Sequence, residues 1–174
     1  LSTLKSSFRS IWFWAFPAVV GLFLLREPLV ELILQGGEFD AEAALMTQKT
    51  FAILVWSALP LSLVPLWSRA FYSMSRTKIP VVAAFHTMVV NVTLSVLFTQ
   101  FYGMGIYGLA WANLIASSVN ALLLLIFLSR SLDCSISKII SRRLLAQSVL
   151  ASALMAIVIL EFPSFNYPHV FVEL

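Results

Sequence analysis

From Ile79 to Ser129 the chain carries no Asp, Glu, Lys or Arg. At 1.5 Å rise per residue about 20 apolar residues cross a bilayer core, so this stretch is too long for one span and predicts two helices back to back. Gly103, Gly105 and Gly108 mark the break, because glycine at this density weakens a helix and permits a tight turn. The same reading applied to the whole chain predicts five spans, at about 10–33, 46–68, 79–102, 105–129 and 144–161. Pro17 predicts a kink in the first, and Pro28 to Gln35, which carries Glu31, predicts its continuation into the interface. The acidic stretch that opens with Gly36-Gly37 predicts a turn, with Asp40 as N-cap of the next helix and Glu42 in its first turn, at the positive end of the helix dipole. Pro60 and Pro65 predict a bent or discontinuous second span.

Composition puts this pattern in a membrane. Hydrophobic residues make up 60% of the chain and charged residues 11%, against roughly 25% charged in soluble domains, and the mean hydropathy is +0.95. The fold class that follows is all-α, a single polytopic transmembrane bundle over residues 1–174. A net charge of +3 would suggest nucleic acid in a soluble chain, but the basic residues here sit in loops between apolar spans, where they set orientation instead. Lys5 and Arg9, then Arg69, Arg76 and Lys78, then Arg130, Lys138, Arg142 and Arg143 occupy alternate loops, nine of the eleven basic residues. By the positive-inside rule the amino terminus and these loops are cytoplasmic and the carboxyl tail, with Pro163 and Pro168, is external. The lone Cys134 excludes an internal disulfide and reads as an ordinary reduced thiol.

Polar residues within the spans are ordered. Thr87, Asn91, Ser95 and Thr99 recur every four residues along the third span, and Asn113, Ser117 and Asn120 form a similar ridge on the fourth. In hydrocarbon such ridges face other helices or water, so they serve either as interhelical hydrogen bonds or as the lining of a substrate or ion path, for which Asn91, Ser95, Asn113, Ser117 and Asn120 are the candidates. His86 has no carboxylate in its span and reads as a packed or interfacial histidine. Neither metal-ligand spacing nor a phosphate-binding glycine loop nor a nucleophile elbow occurs, so no cofactor, no metal and no enzymatic activity are expected.

Read in order, PAVVGLFLLREPLVELIL, QGGEFDAEAA, RAFYSMSRTKIP, NVTLSVL and GLAWANLIASSVNALLLLIFLSR resemble the carboxyl-terminal half of the MurJ/MviN family of lipid II flippases. The loop Arg69, Phe71, Tyr72, Thr77, Lys78, Pro80 matches the family's F-Y…T-[KR]-T-P segment, and Asn91, Leu94, Gly108, Leu109, Ala110 and Ala112 match the two motifs that follow. Arg76 stands where the family usually has Asp, Ser73 where it has Ala, and Asn113 where it has Thr or Ser. Asn91 falls on one cation-ligand position of some members, with Ser95 where those members carry an acid. The resemblance implies a fragment supplying roughly the ninth to thirteenth of fourteen spans, in the bacterial cytoplasmic membrane. Its partners would be the bilayer, the amino-terminal lobe of the same protein, and an undecaprenyl-diphosphate-linked peptidoglycan precursor flipped to the outer leaflet by alternating access. The diphosphate-holding arginines of the family lie mainly on spans outside this chain. Two other functions fit the same residues, an exporter of another lipid-linked oligosaccharide or a drug, and a non-transporting membrane scaffold for cell-wall enzymes.

Overall fold

A computed structural model describes residues 2–34, 41–132 and 142–161, and the regular structure among them is helical throughout. In chain order the helices are α1 (Ser2–Leu24), α2 (Arg26–Leu34), α3 (Ala41–Ser73), α4 (Lys78–Val96), which runs on into a π-type turn at Leu97–Phe101, α5 (Ile106–Ser131) and α6 (Arg142–Glu161). Thr3–Leu24, Glu42–Ser73, Lys78–Phe101 and Ile106–Ser131 are each long and apolar enough to cross a membrane, and Ala146–Glu161 is a shorter apolar helix. The expected glycine turn and Asp40 cap, together with Cys134, Lys138, Pro163 and Pro168, lie outside the described residues.

Prolines have different outcomes in the first two long segments. Pro28 has no N–H to give the Leu24 carbonyl, and the expected first span divides there into α1 and α2. Arg26 covers the exposed backbone: its guanidinium donates to the Phe23 carbonyl at 3.0 Å, lies 4.8 Å from the Phe23 ring centroid and pairs with Glu27 at 3.0 Å. In α3 the outcome is the opposite. Pro60 and Pro65 lie inside one uninterrupted helix of 33 residues, so the second span is not discontinuous. Buried Leu59 and Leu63 flank Pro60 and hold that stretch against its neighbours, which offsets the two missing backbone bonds.

The helices converge at one end. Phe8 of α1, Trp67 and Phe71 of α3, Ala83 of α4, Leu124 and Leu128 of α5 and Leu144 of α6 form one buried cluster, with Phe8 and Trp67 rings 5.9 Å apart. These residues come from the starts of α1, α4 and α6 and the ends of α3 and α5, so the helices alternate in direction. Lys5, Arg9, Arg69, Arg76, Lys78 and Arg130 therefore lie at the same end of the bundle. A smaller cluster of Val19, Val55 and Leu59 joins α1 to α3 further along. The helix α3 is the hub, packing on α1, α2 and α5, while α4 packs on α5 and α6 on α1.

Two turns fix the hairpins. Between α3 and α4, the Arg76 N–H donates to the Phe71 carbonyl and the Ser75 N–H to the Tyr72 carbonyl, both at 3.0 Å, with Ser75 in the left-handed conformation at φ 57°. This is the Schellman ending of a helix, with serine at the position that favours glycine. Between α4 and α5, Gly105 caps α5 at φ 55°, ψ −131°, a combination that side chains resist. Three residues on, a Cβ at Gly108 would sit 2.8 Å from the Phe98 Cβ and 3.1 Å from the Phe98 carbonyl carbon, so glycine sets how closely α5 approaches the π-type turn.

Two opposite outcomes are expected in equilibrium unfolding of the purified protein. Ser75→Gly removes the left-handed penalty and should raise stability by about 0.5–1 kcal/mol. Gly108→Val should lower it by about 1–3 kcal/mol through overpacking. A neutral Gly108→Val would mean that α5 and the π-type turn are not in contact.

Candidate functional site

The two polar ridges differ in what they bond. Along α4 and the π-type turn the ridge bonds within its own segment: Thr87 donates to the Ala83 carbonyl at 2.9 Å, Thr99 to the Ser95 carbonyl at 2.7 Å, and the Ser95 hydroxyl to Asn91 Oδ1 at 3.3 Å. Asn91 is half-buried. On α5 the ridge reaches outward, and Asn113 Nδ2 donates to Ser57 Oγ on α3 at 3.3 Å. Ser57 is buried and its hydroxyl in turn donates to the Leu54 carbonyl at 2.6 Å, so it both receives and gives. Asn113 is thus joined to α3 and not to Asn91. Ser117, also buried, bonds the Leu114 carbonyl at 3.0 Å. Asn120 Oδ1 lies inside the packing with no hydrogen-bond partner among the described residues.

Sequence periodicity misses Ser57, which belongs to neither ridge. Its signal is faint: with Ser62 it is one of two hydroxyls close to Pro60 in an otherwise apolar span, and serine there bonds its own backbone, as Ser62 does to the Leu59 carbonyl at 2.7 Å. Nothing in one sequence says that an asparagine 56 residues away meets it.

The loop motif divides into core and surface. Phe71 is fully buried and Pro80 is buried in the first turn of α4, where a missing N–H leaves no helical bond unmade. Tyr72 and Lys78 are exposed, and Thr77 precedes α4 without a side-chain capping bond. Arg76, the residue that departs from the resemblance, spans the turn: its Nη1 donates to Ser131 Oγ at 2.9 Å, tying the α3–α4 turn to the last residue of α5. A guanidinium there also faces the negative end of the α5 dipole. His86 is exposed, with Nδ1 2.8 Å from the Val82 carbonyl and its ring edge-on to Phe85.

Arg69 opens onto a cleft of about 690 Å³ between α1 and α3, whose polar wall is Ser6, Ser7, Ser10 and Ser73. A cation among hydroxyl donors suits an anion, and the walls formed by Ile11, Leu66 and Met74 are apolar. Among the described residues no three His, Cys, Asp or Glu side chains come together.

Comparisons with known proteins agree on one family. A family model described as lipid II flippase MurJ matches residues 1–174. A probable lipid II flippase MurJ of Bdellovibrio bacteriovorus is 34% identical over 124 residues, covering 71% of this chain and 23% of its own length. One from Rhizobium meliloti is 30% identical over 163 residues, 89% of this chain and 30% of its own, and the lipid II flippase MurJ of Thermosipho africanus is 30% identical over 70% of this chain and 25% of its own. A solved lipid II flippase MurJ in an inward closed conformation superposes with a TM-score of 0.75 at 24% identity, over 91% of this chain and 32% of that one, which speaks for the fold. The chain spans about a quarter to a third of the length of these relatives. With the family model matching all of residues 1–174, the chain belongs to the MurJ family of lipid II flippases.

Proposed function

We propose that these residues form part of the carboxyl-terminal lobe of a lipid II flippase in the bacterial cytoplasmic membrane. The lobe rocks against a second lobe to carry an undecaprenyl-diphosphate-linked precursor from the inner to the outer leaflet. The observation that carries this reading is the family match along all 174 residues, and the shared fold supports it. The basic end of the bundle is cytoplasmic, since six cations lie there and positive loops are retained on that side.

The bonding pattern supports a lobe that moves as a body. The Arg76–Ser131 and Asn113–Ser57 bonds tie α3, α4 and α5 together at two heights. In the α4 ridge the hydrogen bonds are internal, so Asn91 and Ser95 can face a changing neighbour without losing a partner. Asn91, Ser95, Asn113, Ser117 and Asn120 are the residues proposed to border the path, and the diphosphate is held elsewhere.

Grafting supplies the test of function. In cells depleted of their lipid II flippase, a relative whose matching third is replaced by these residues should restore growth, while these residues alone should not. Rescue by the 174 residues alone, or failure of a well-expressed graft, would contradict the proposal. Asn91→Leu in that graft should reduce flipping several-fold at normal expression; unchanged flipping would remove Asn91 from the path. For orientation, Ser75→Cys in a Cys134→Ser background should resist an impermeant thiol reagent in intact cells, and Ala43→Cys should react. The reverse pattern would place the basic end outside.

A further inference from the structure

Within the packing of α3 on α5, one donor and one acceptor are buried without a hydrogen-bond partner among the described residues: Trp67 Nε1 and Asn120 Oδ1. Trp67 is 1% exposed and shares a buried cluster with Leu124 and Leu128 of α5. Asn120 follows Asn113 by two helical turns and precedes Leu124 by one, so the three fall on one stripe of α5. Ser131, two turns past Leu124, continues it. Asn113 bonds Ser57, and Ser131 bonds Arg76, which ties the stripe to α3 and its turn on both sides of Asn120.

The register of the two helices brings the donor and the acceptor to similar heights. Both helices run toward the basic end, and the Asn113–Ser57 bond joins residues 56 apart in the chain. The same offset sets half-buried Val64 level with Asn120, and Trp67 within one residue of Leu124. Helical side chains lean toward the helix N-terminus, so the Trp67 indole reaches back over the turn that carries Val64. Val64 offers Asn120 no polar atom; the indole offers an N–H.

We propose that one resident water molecule occupies this seam, accepting from Trp67 Nε1–H and donating to Asn120 Oδ1. The ligand class follows from the two groups. An indole N–H disfavours a cation and an amide oxygen disfavours an anion, whereas a neutral species that accepts on one side and donates on the other satisfies both. Two hydrogen bonds in sequence, each about 2.8 Å, bridge a gap of roughly 5 Å. Either group left unpaired in the packing destabilises the fold, and a bridging water relieves both. Trp12 Nε1 is also unpartnered among the described residues, but α1 packs mainly on α3 and α6, which leaves it outside this bridge.

The purified chain, labelled with 15N-tryptophan in deuterated detergent, supplies the test. Its five indole signals are assigned by single Trp→Phe changes, the Trp67 signal directly or by elimination. In the unaltered protein the Trp67 indole proton should show a rotating-frame Overhauser contact to a long-lived water. Asn120→Leu, which removes the acceptor at similar volume, should abolish that contact and move the Trp67 signal upfield, and Trp12→Phe should leave both in place. In reversible unfolding, Trp67→Phe combined with Asn120→Leu should lower the folded-to-unfolded ratio about threefold less than the product of the single effects, the size of one interhelical hydrogen bond. The effects of Trp12→Phe and Asn120→Leu should simply multiply. The proposal is overturned by a Trp67 indole proton with no contact to water in the unaltered protein, a readout that requires no Asn120 variant to fold. It is overturned equally by independent effects of Trp67→Phe and Asn120→Leu, or by a Trp67 signal indifferent to Asn120→Leu, which would assign the N–H to the Phe8 ring, whose centroid is 5.9 Å from that of the indole.

Discussion

The closeness with which α5 can lie against its neighbours is the constraint from which the bundle follows. Its buried residues in the half after the glycine turn are small, Gly108, Ala110, Ala112, Ala116, Ser117 and Ala121, and its far half buries Leu124, Leu125 and Leu128. In a bilayer the lipid chains are as apolar as leucine, so helices associate through close packing and a few polar contacts rather than by hiding from water. Small residues allow that approach at one end, and at the other Trp67 and Phe71 of α3 pack with Leu124, Leu125 and Leu128 of α5 in one buried cluster. Because α3 also carries α1 and α2, and α1 carries α6, the α3–α5 contact transmits its geometry to most of the molecule.

Polar groups inside this packing obey a simple economy. Many serine and threonine hydroxyls within the helices donate to a carbonyl three or four residues back on the same helix, among them Thr47, Thr50, Ser57, Ser62, Thr87 and Ser148. Such bonds let a helix carry hydroxyls through hydrocarbon without fixing its neighbour. The Asn113–Ser57 bond is different, since it crosses between helices and specifies their relative height. Arg76 plays the corresponding role at the basic end, where the geometry of the Schellman turn delivers its side chain to Ser131.

Much of this could be read from the sequence because membrane solvation is so restrictive. The uncharged run from Ile79 to Ser129 with its three glycines leaves few structures besides a helical hairpin, and the turn falls at Gly103–Gly105. Prolines were less legible. A missing N–H is equally absent at Pro28, Pro60 and Pro65, yet only Pro28 accompanies a cut, because the consequence depends on what packs beside it. Ridge partners were not legible either: four-residue periodicity says that Asn91 and Asn113 lie on faces, while whether a face meets α3 or α5 is a property of the assembled bundle. Family motifs placed the α3–α4 loop, but the Arg76 contact arises at a residue where this chain departs from the family's usual Asp.

A double-mutant cycle on Ser57 and Asn113 tests the central assignment, that α3 and α5 are registered by this one side-chain bond. Stability of the unaltered chain, Ser57→Ala, Asn113→Leu and the double variant would be measured by reversible unfolding in detergent or bicelles. Interhelical hydrogen bonds in membranes average about 0.6 kcal/mol and reach about 1.7. A coupling energy in that range, above the roughly 0.3–0.5 kcal/mol scatter of independent sites, is the expected result. Strict additivity of the two single changes would contradict it.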